Sequence, residues 1–365
     1  MEKLRIDPWG SNRIENYDKL FKSFGIEKIS EKTKKEIDHP LFRRSIVIGH
    51  RDFEKIMERI RNKKPFINMT GIASSGKLHL GHAVVVEVFS IFKKLGAKNY
   101  FGIADIDGYV SRNDSKVPSL KKAKEFAIEN LSHVLALGLT EKDVFVQSRM
   151  GSRYYEFAFE ISKKLTTNTF EGIYGHLDLG KVSANLLQYA DILHAQLPEY
   201  AGKMPSITAV SPDQDPHIRA TRDIVKRLPY DFEIPSGLIF LPLPSLKGPE
   251  IKMSSSLPET AIFLDDDPKV AAKKVMNAFT GQQATAELQK KLGGNPDVCS
   301  ICQYYRFLFE KNDKKVQKIF EKERSGELLA GEHKQDLAEK VSDFLEKHQE
   351  KLEKTKEIAR QLVLG

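Results

Sequence analysis

Residues 65–82 read PFINMTGIASSGKLHLGH and combine an apolar segment, a Gly/Ser loop and the start of a helix. The following stretch, 83–96, repeats apolar residues at helical spacing and ends at Gly96, a residue type that commonly terminates helices. Residues 99–106, NYFGIADI, form a continuous apolar run ending in acidic residues, as expected of a strand buried in a parallel sheet. Strand, helix and strand in this order predict a βαβ unit.

The alternation continues along the chain. A helical pattern covers 121–138, and the stretch from about 150 to 205 is mainly helical. Further short apolar runs predict strands at 142–150, 206–212, 237–244 and 261–267. We therefore predict an α/β fold, with a Rossmann-like doubly wound parallel sheet and an all-α C-terminal domain. The predicted boundaries are an N-terminal extension (1–65), a catalytic domain with a helical insertion at about 150–205 (66–267), and a helical domain (268–365).

Composition narrows the class of protein. Of 365 residues, 40% are hydrophobic and 30% charged, and the first residues, MEKLRIDPWG, lack the apolar stretch of a secretory signal. No apolar run approaches the length that spans a bilayer, so we expect no membrane association and a cytoplasmic location. The net charge of +8 is compatible with a polyanionic partner such as a nucleic acid.

The Gly/Ser loop resembles a phosphate-binding P-loop over its first seven positions, 71–77. The eighth position should carry Ser or Thr, whose hydroxyl helps to hold magnesium, and here it is Leu78. We interpret the partial match as accidental.

Two other short segments are better suited to a nucleotide. His79-Leu80-Gly81-His82 places two imidazoles one turn apart at a helix N-terminus, where free amides favour an anionic phosphate. Gly81 allows a flat ring to pass close to the backbone. In 252–256, KMSSS, a Lys and three hydroxyls occupy a Pro/Gly-rich loop, as a mobile clamp on polyphosphate requires. Each segment alone fits an ordinary helix start or a solvated turn, whereas both in this order favour nucleotide chemistry.

Together, HLGH and KMSSS resemble the HIGH and KMSKS signatures of class I aminoacyl-tRNA synthetases. The resemblance implies a Rossmann domain that forms an aminoacyl adenylate from an amino acid and magnesium-ATP, and then transfers the acyl group to tRNA. It implies catalytic roles for Lys252, His79 and His82, and it implies that magnesium is held mainly by ATP phosphates. The residues implied in ATP binding are Gly71, Ser74, Ser75, His79, Gly81, His82, Lys252, Met253, Ser254 and Ser255.

Other segments resemble the archaeal and eukaryotic-type tryptophanyl-tRNA synthetases. Residues 213–223, DQDPHIRATRD, look like that family's DQDP…R..RD segment, and Asp215 fits a helix N-cap with Gln214 just outside the helix. Gln188 falls on the family's substrate-binding glutamine. Asp107 takes the place of the acid that meets the indole nitrogen, where eukaryotic members carry Glu. Met69 stands where they carry a Tyr.

The resemblance covers roughly 65–360, with a weaker match at Asp7-Pro8-Trp9. It implies that tRNA(Trp), tryptophan and ATP are the ligands, that 268–365 bind the anticodon, and that the chain is a homodimer. Three alternatives remain: a tyrosyl-tRNA synthetase, a small-molecule adenylyltransferase, and a non-catalytic synthetase-like RNA-binding protein.

The only cysteines, Cys299 and Cys302, form a single CxxC at the start of a predicted helix. A structural zinc site uses four ligands, and no second CxxC completes one. We therefore predict two ordinary thiols and no protein-bound metal.

Overall fold

A computed structural model describes residues 17–175, 178–251, 253 and 257–365. Trp9 and the predicted site residues Lys252, Ser254 and Ser255 lie outside these ranges.

The described strands form one sheet in the order β1-β2-β7-β6-β3-β4-β5. From β7 to β5 all neighbours are parallel, whereas β2 runs antiparallel to β7 and β1 antiparallel to β2. The strands are β1 (Glu27–Lys28), β2 (Val47–Arg51), β3 (Ile67–Ala73), β4 (Lys98–Ala104), β5 (Val144–Val146), β6 (Ser206–Val210) and β7 (Ser236–Phe240). The predicted parallel sheet is confirmed, and the predicted N-terminal extension contributes its antiparallel edge.

Helices cover both faces of this sheet and make up the chain from Pro268 onward. Before the last strand they are α1 (Tyr17–Phe24), α2 (Glu31–Glu36), α3 (Pro40–Arg43), α4 (Glu54–Arg61), α5 (Leu80–Lys94), α6 (Asp105–Val110), α7 (Leu120–Ala136), α8 (Ser152–Ser162), α9 (Thr167–Tyr174), α10 (Leu179–Leu193) and α11 (Asp215–Val225). After it come α12 (Pro268–Met276), α13 (Ala286–Leu292), α14 (Ser300–Tyr304), α15 (Asp313–Ser325) and α16 (Ala330–Leu364), with a π-helical turn at Tyr305–Phe309.

Helix α5 connects β3 to β4 and packs on the sheet. Its apolar side chains, including Val84, Val88 and Phe92, are fully buried. The helix ends where predicted, since Gly96 adopts a φ of 89°, a left-handed conformation that glycine reaches without steric cost.

One predicted strand is wrong. Residues 261–267 form no sheet strand, although Ile262 and Leu264 are fully buried. The backbone amide of Leu80 donates to Ile262 O (3.0 Å), and that of Leu264 donates to Leu78 O (2.9 Å). The apolar run therefore pairs with the segment that leads into α5, a contact that hydrophobic periodicity cannot distinguish from a sheet ladder.

The last helix, α16, lies along α7 and α12 and closes one side of the sheet domain. Within this contact His133 Nδ1 lies 2.9 Å from His348 Nε2, and burial lowers the pKa of both imidazoles to about 4. Among the described residues, no helix is long and apolar enough to cross a membrane.

Candidate functional site

The order in which strands are added to the sheet reverses between β3 and β6. From β3 the chain proceeds through β4 to β5 on one side, and it then returns to add β6 and β7 on the other side. Ligands of such sheets bind in the crevice at the carboxyl ends of the strands, where the winding reverses. A cavity of about 520 Å³ lies there, lined by Ala73, Val210 and Phe240 at the ends of β3, β6 and β7.

Most predicted site residues meet in this cavity. Its wall includes Met69, Gly71, His79, Gly81, His82, Asp107, Gln188, Gln214 and Met253. The predicted ATP contacts Ser74 and Ser75 do not line it, and both are buried. Ser75 Oγ instead accepts a long hydrogen bond of 3.4 Å from Arg112 Nε.

The two histidines form the N-terminal cap of α5. His79 Nδ1 accepts from the amide of Gly81 (3.1 Å), and His82 Nδ1 accepts from the amide of His79 (3.1 Å). The rings lie 4.1 Å apart between centroids. An Nδ1 that accepts a hydrogen bond carries no proton, so each neutral ring carries its proton on Nε2. The motif therefore presents two Nε2–H donors at a helix N-terminus.

Burial keeps both rings neutral. It lowers the pKa of His82 to about 4 and lowers the pKa of His79 well below its usual value, with His82 acting in the same direction. At neutral pH the histidines can thus donate hydrogen bonds to phosphate or ribose oxygens, but they add no positive charge.

The HLGH helix start contacts Met253, the one residue of the KMSSS segment that the structure describes. A Cβ placed on Gly81 would lie 2.8 Å from Met253 Cε, the flexible end of the methionine, so the two residues approach each other closely. On its other side, Met253 Sδ lies 3.9 Å from the Tyr304 hydroxyl. The two motifs, distant in sequence, therefore border the same part of the cavity.

The partial P-loop does not form a phosphate cradle. Lys77 Nζ pairs with Asp265 Oδ2 at 2.5 Å. Asp265 raises the pKa of Lys77 through this hydrogen bond, so the lysine is charged and engaged. The interpretation of the match as accidental agrees with this geometry.

Carboxylates border the cavity beside β4. Burial raises the pKa of Asp107, against the lowering effects of Ser111 and Arg112. Burial likewise raises the pKa of Asp191 to about 7; hydrogen bonds from Tyr154 (2.5 Å) and Gln147 (2.7 Å) oppose this rise, and the charge of Asp107 adds to it. This pair gives the cavity a partly charged acidic region that suits an N–H donor or an ammonium group.

Sequence reasoning missed Asp191, Asn185 and Thr208, which all line the cavity. The side-chain amide of Asn185 and the hydroxyl of Thr208 are buried without a hydrogen-bond partner among the described residues. Such atoms are expected to meet polar groups of a ligand. Two of them could have been predicted from helix spacing. Asn185 and Asp191 lie three residues before and after Gln188 on α10, and residues three apart share one face of a helix.

Asp215 is not the helix N-cap that the sequence suggested. Gln214 occupies the cap position and Asp215 is the first residue of α11. The Asp215 carboxylate is fully buried and accepts two hydrogen bonds from Arg51, at 3.0 and 2.9 Å. It therefore anchors β2 to the segment that carries Gln214, which lines the cavity as predicted.

Comparison with known proteins gives one family. The family of tRNA synthetases class I (W and Y) matches residues 61–346. A tryptophan–tRNA ligase of Aeropyrum pernix is 40% identical, over 100% of this chain and 99% of that protein. A second, of Methanocaldococcus jannaschii, is 38% identical, over 100% of both.

A solved structure agrees with the sequence relatives. The crystal structure of tryptophanyl-tRNA synthetase from Aeropyrum pernix K1 superposes with a TM-score of 0.88 at 39% identity, covering 98% of each chain. This similarity spans the sheet, the cavity and the C-terminal helices. The chain therefore belongs to the class I tRNA synthetases of the tryptophan and tyrosine family.

Proposed function

We propose that this protein is a tryptophan–tRNA ligase. It activates L-tryptophan with ATP, releases pyrophosphate, and transfers the tryptophanyl group to the 3′ end of tRNA(Trp). The observation that carries the proposal is the cavity at the reversal of the sheet, where the HLGH helix start, Met253, Asp107 and Gln188 meet. The near full-length similarity to tryptophan–tRNA ligases supports the choice of amino acid.

Activation is an in-line displacement at the α-phosphorus. An oxygen of the tryptophan carboxylate forms the new P–O bond, and the bond to the pyrophosphate oxygen breaks. The amino acid is its own nucleophile, so the protein needs no general base; it orients the reactants and stabilises charge. The Nε2–H groups of His79 and His82 are suited to donate to nucleotide oxygens. Lys252 supplies the positive charge that the neutral histidines lack.

The amino acid is assigned to the acidic part of the cavity. The indole N–H is a donor only, and Asp107 offers an acceptor there. Met69 provides an apolar, polarisable surface for an aromatic ring. Gln188 and Gln214 are assigned to the polar end of tryptophan. Magnesium enters with ATP, bound mainly by phosphate oxygens, and we assign no protein ligand to it.

We further propose that 268–365 bind the anticodon, that the enzyme is cytoplasmic and that it is a homodimer. Exposed apolar side chains on the helical insertion support the dimer, since Phe159 is 72% exposed and Leu179 is 79% exposed.

Amino-acid-dependent exchange of labelled pyrophosphate into ATP tests the function directly. We expect exchange with tryptophan alone when the twenty amino acids are tested separately. Exchange with tyrosine in place of tryptophan would favour a tyrosyl-tRNA synthetase. No exchange with any amino acid, with or without tRNA, would favour a non-catalytic RNA-binding protein.

Gln188→Ala tests the assignment of the amino-acid pocket. We expect the KM for tryptophan to rise by about tenfold or more, the scale of one lost hydrogen bond to a charged group, while the KM for ATP stays unchanged. Ser183→Ala is the matched control, because Ser183 is exposed on the same helix and does not line the cavity. Equal losses for tryptophan and ATP would show that the pocket is misplaced.

A further inference from the structure

The two cysteines lie in a polar cluster outside the catalytic cavity. Cys299 caps α14, Cys302 follows in its first turn, and His333 lies in the first turn of α16. Glu323, near the end of α15, lies beside them. The two cysteines and Glu323 are fully buried, and His333 is 4% exposed. Thiols, an imidazole and a carboxylate from three helices are thus enclosed together.

The distances between these groups suit a metal ion. One ligand atom each of Cys299, Cys302 and His333 lies within 4.8 Å of the other two. A tetrahedral zinc ion with bonds of about 2.0–2.3 Å would hold such atoms somewhat less than about 4 Å apart. The groups would therefore close by at most about 1 Å around the ion.

The imidazole of His333 is buried and contributes packing but no hydrogen bond among the described residues. Neither ring nitrogen of His333 has a hydrogen-bond partner among the described residues. Its ring stacks on Tyr305, with 5.1 Å between centroids. A buried imidazole without hydrogen-bond partners loses its hydration and gains nothing in return. A bond from one ring nitrogen to a metal ion would compensate for that loss.

The carboxylate adds a negative charge to the same place. Glu323 Oε2 lies 3.7 Å from His333 Nδ1 and accepts from Gln282 (2.8 Å), whereas Oε1 has no partner among the described residues. A buried carboxylate of this kind is stabilised by a cation, and metal-bound histidines commonly direct their second nitrogen at a carboxylate.

We propose that Cys299, Cys302 and His333 bind a zinc ion and leave its fourth tetrahedral position to a water molecule, with Glu323 orienting the histidine. Two thiolates and one imidazole are ligands that zinc prefers over magnesium or calcium. Binding displaces the two thiol protons to solvent, so the thiolates balance the charge of the ion. The expectation of no protein-bound metal rested on the absence of a second CxxC, whereas the structure places a third ligand beside the two thiols, a histidine thirty-one residues after Cys302.

The proposed ion would brace one wall of the catalytic cavity. Gln303, Arg306 and Phe307, which follow Cys302 directly, line that cavity, and Tyr304 contacts Met253. Zinc would thus join α14 to the start of α16 and hold the helix whose Tyr304 contacts Met253.

Metal content of the purified full-length protein tests the proposal. Expression in zinc-supplemented medium and purification without chelators should yield about one zinc per chain, falling below about one tenth in Cys302→Ser and His333→Ala. Replacement of zinc by cobalt should give thiolate-to-cobalt charge-transfer bands and the intense visible bands of tetrahedral coordination. Added zinc should raise the melting temperature of the metal-depleted protein, but not that of Cys302→Ser.

His133→Ala is the matched control, since it removes another buried imidazole from the α7–α16 contact and should leave the zinc content unchanged. Equal loss of zinc in this control would show that general destabilisation, and not ligation, explains the variants. A wild-type protein without stoichiometric metal, or with one equivalent of a different metal, would overturn the assignment. Because these measurements do not depend on activity, they stand apart from the pyrophosphate exchange test.

Discussion

Replacement of Lys252 by Ala is expected to slow adenylate formation by about a hundredfold or more, while the fold remains intact. The physical reason follows from the neutral histidines. Burial keeps His79 and His82 uncharged, so they donate hydrogen bonds but cannot neutralise the charge that develops between the α- and β-phosphates. The lysine of the KMSSS segment is the group we assign to that charge. Single-turnover formation of tryptophanyl adenylate at saturating ATP is the measurement.

Lys247→Ala provides the control for this experiment. Lys247 is exposed, belongs to the same segment between β7 and α12 and does not line the cavity. Its removal changes the net charge equally and should leave the single-turnover rate unchanged. An unchanged rate in the Lys252 variant, or equal losses in both, would remove Lys252 from the mechanism.

Asp215→Ala is expected to reduce the free energy of unfolding by about 3–5 kcal/mol, the usual cost of removing one partner from a buried ion pair. Arg51 is only 10% exposed in its side chain, and Arg219 Nε also lies 3.2 Å from the Asp215 carboxylate. Both cations would lose their buried counter-ion. Urea unfolding followed by circular dichroism measures the loss.

Two further variants make this prediction specific. Asp223→Ala, on the exposed face of the same helix, removes an ion pair with Lys226 at 3.7 Å and should change stability by less than about 1 kcal/mol. The double variant Arg51→Met/Asp215→Leu should regain part of the loss, because it leaves fewer buried charges unpaired. A small effect of Asp215→Ala alone would contradict the account of the pair as an anchor.

Much of the fold follows from local sequence signals. Continuous apolar runs predicted β3, β4, β6 and β7, because parallel strands are buried on both faces of the sheet. The end of α5 was predicted from Gly96, a residue type that commonly terminates helices. The pairing of β1 and β2 was not predicted, since these strands are short and lie in a charged segment. The strand predicted at 261–267 was wrong because its apolar residues, Ile262 and Leu264, are buried against residues 78–80 and not within the sheet.

The candidate site divides in a similar way. Residues inside compact motifs, such as His79, Gly81 and His82, could be predicted because helix geometry fixes their spacing. The grouping of Cys299 with His333 depends on how α14 packs against α16, and no local pattern encodes that packing. Ser74 and Ser75 were implied in ATP binding by the family resemblance, but both are buried and neither lines the cavity.

The docking of α16 on α7 has a consequence for synthesis of the chain. Helix α7 ends at residue 136, whereas the helix that covers it begins at residue 330. During translation the face of α7 that carries Ser132 and His133, which contact Thr355 and His348 of α16, stays uncovered until roughly two hundred further residues have been made. The nascent sheet domain therefore exposes an incomplete outer layer for most of its synthesis, a state that favours chaperone binding and is prone to aggregation.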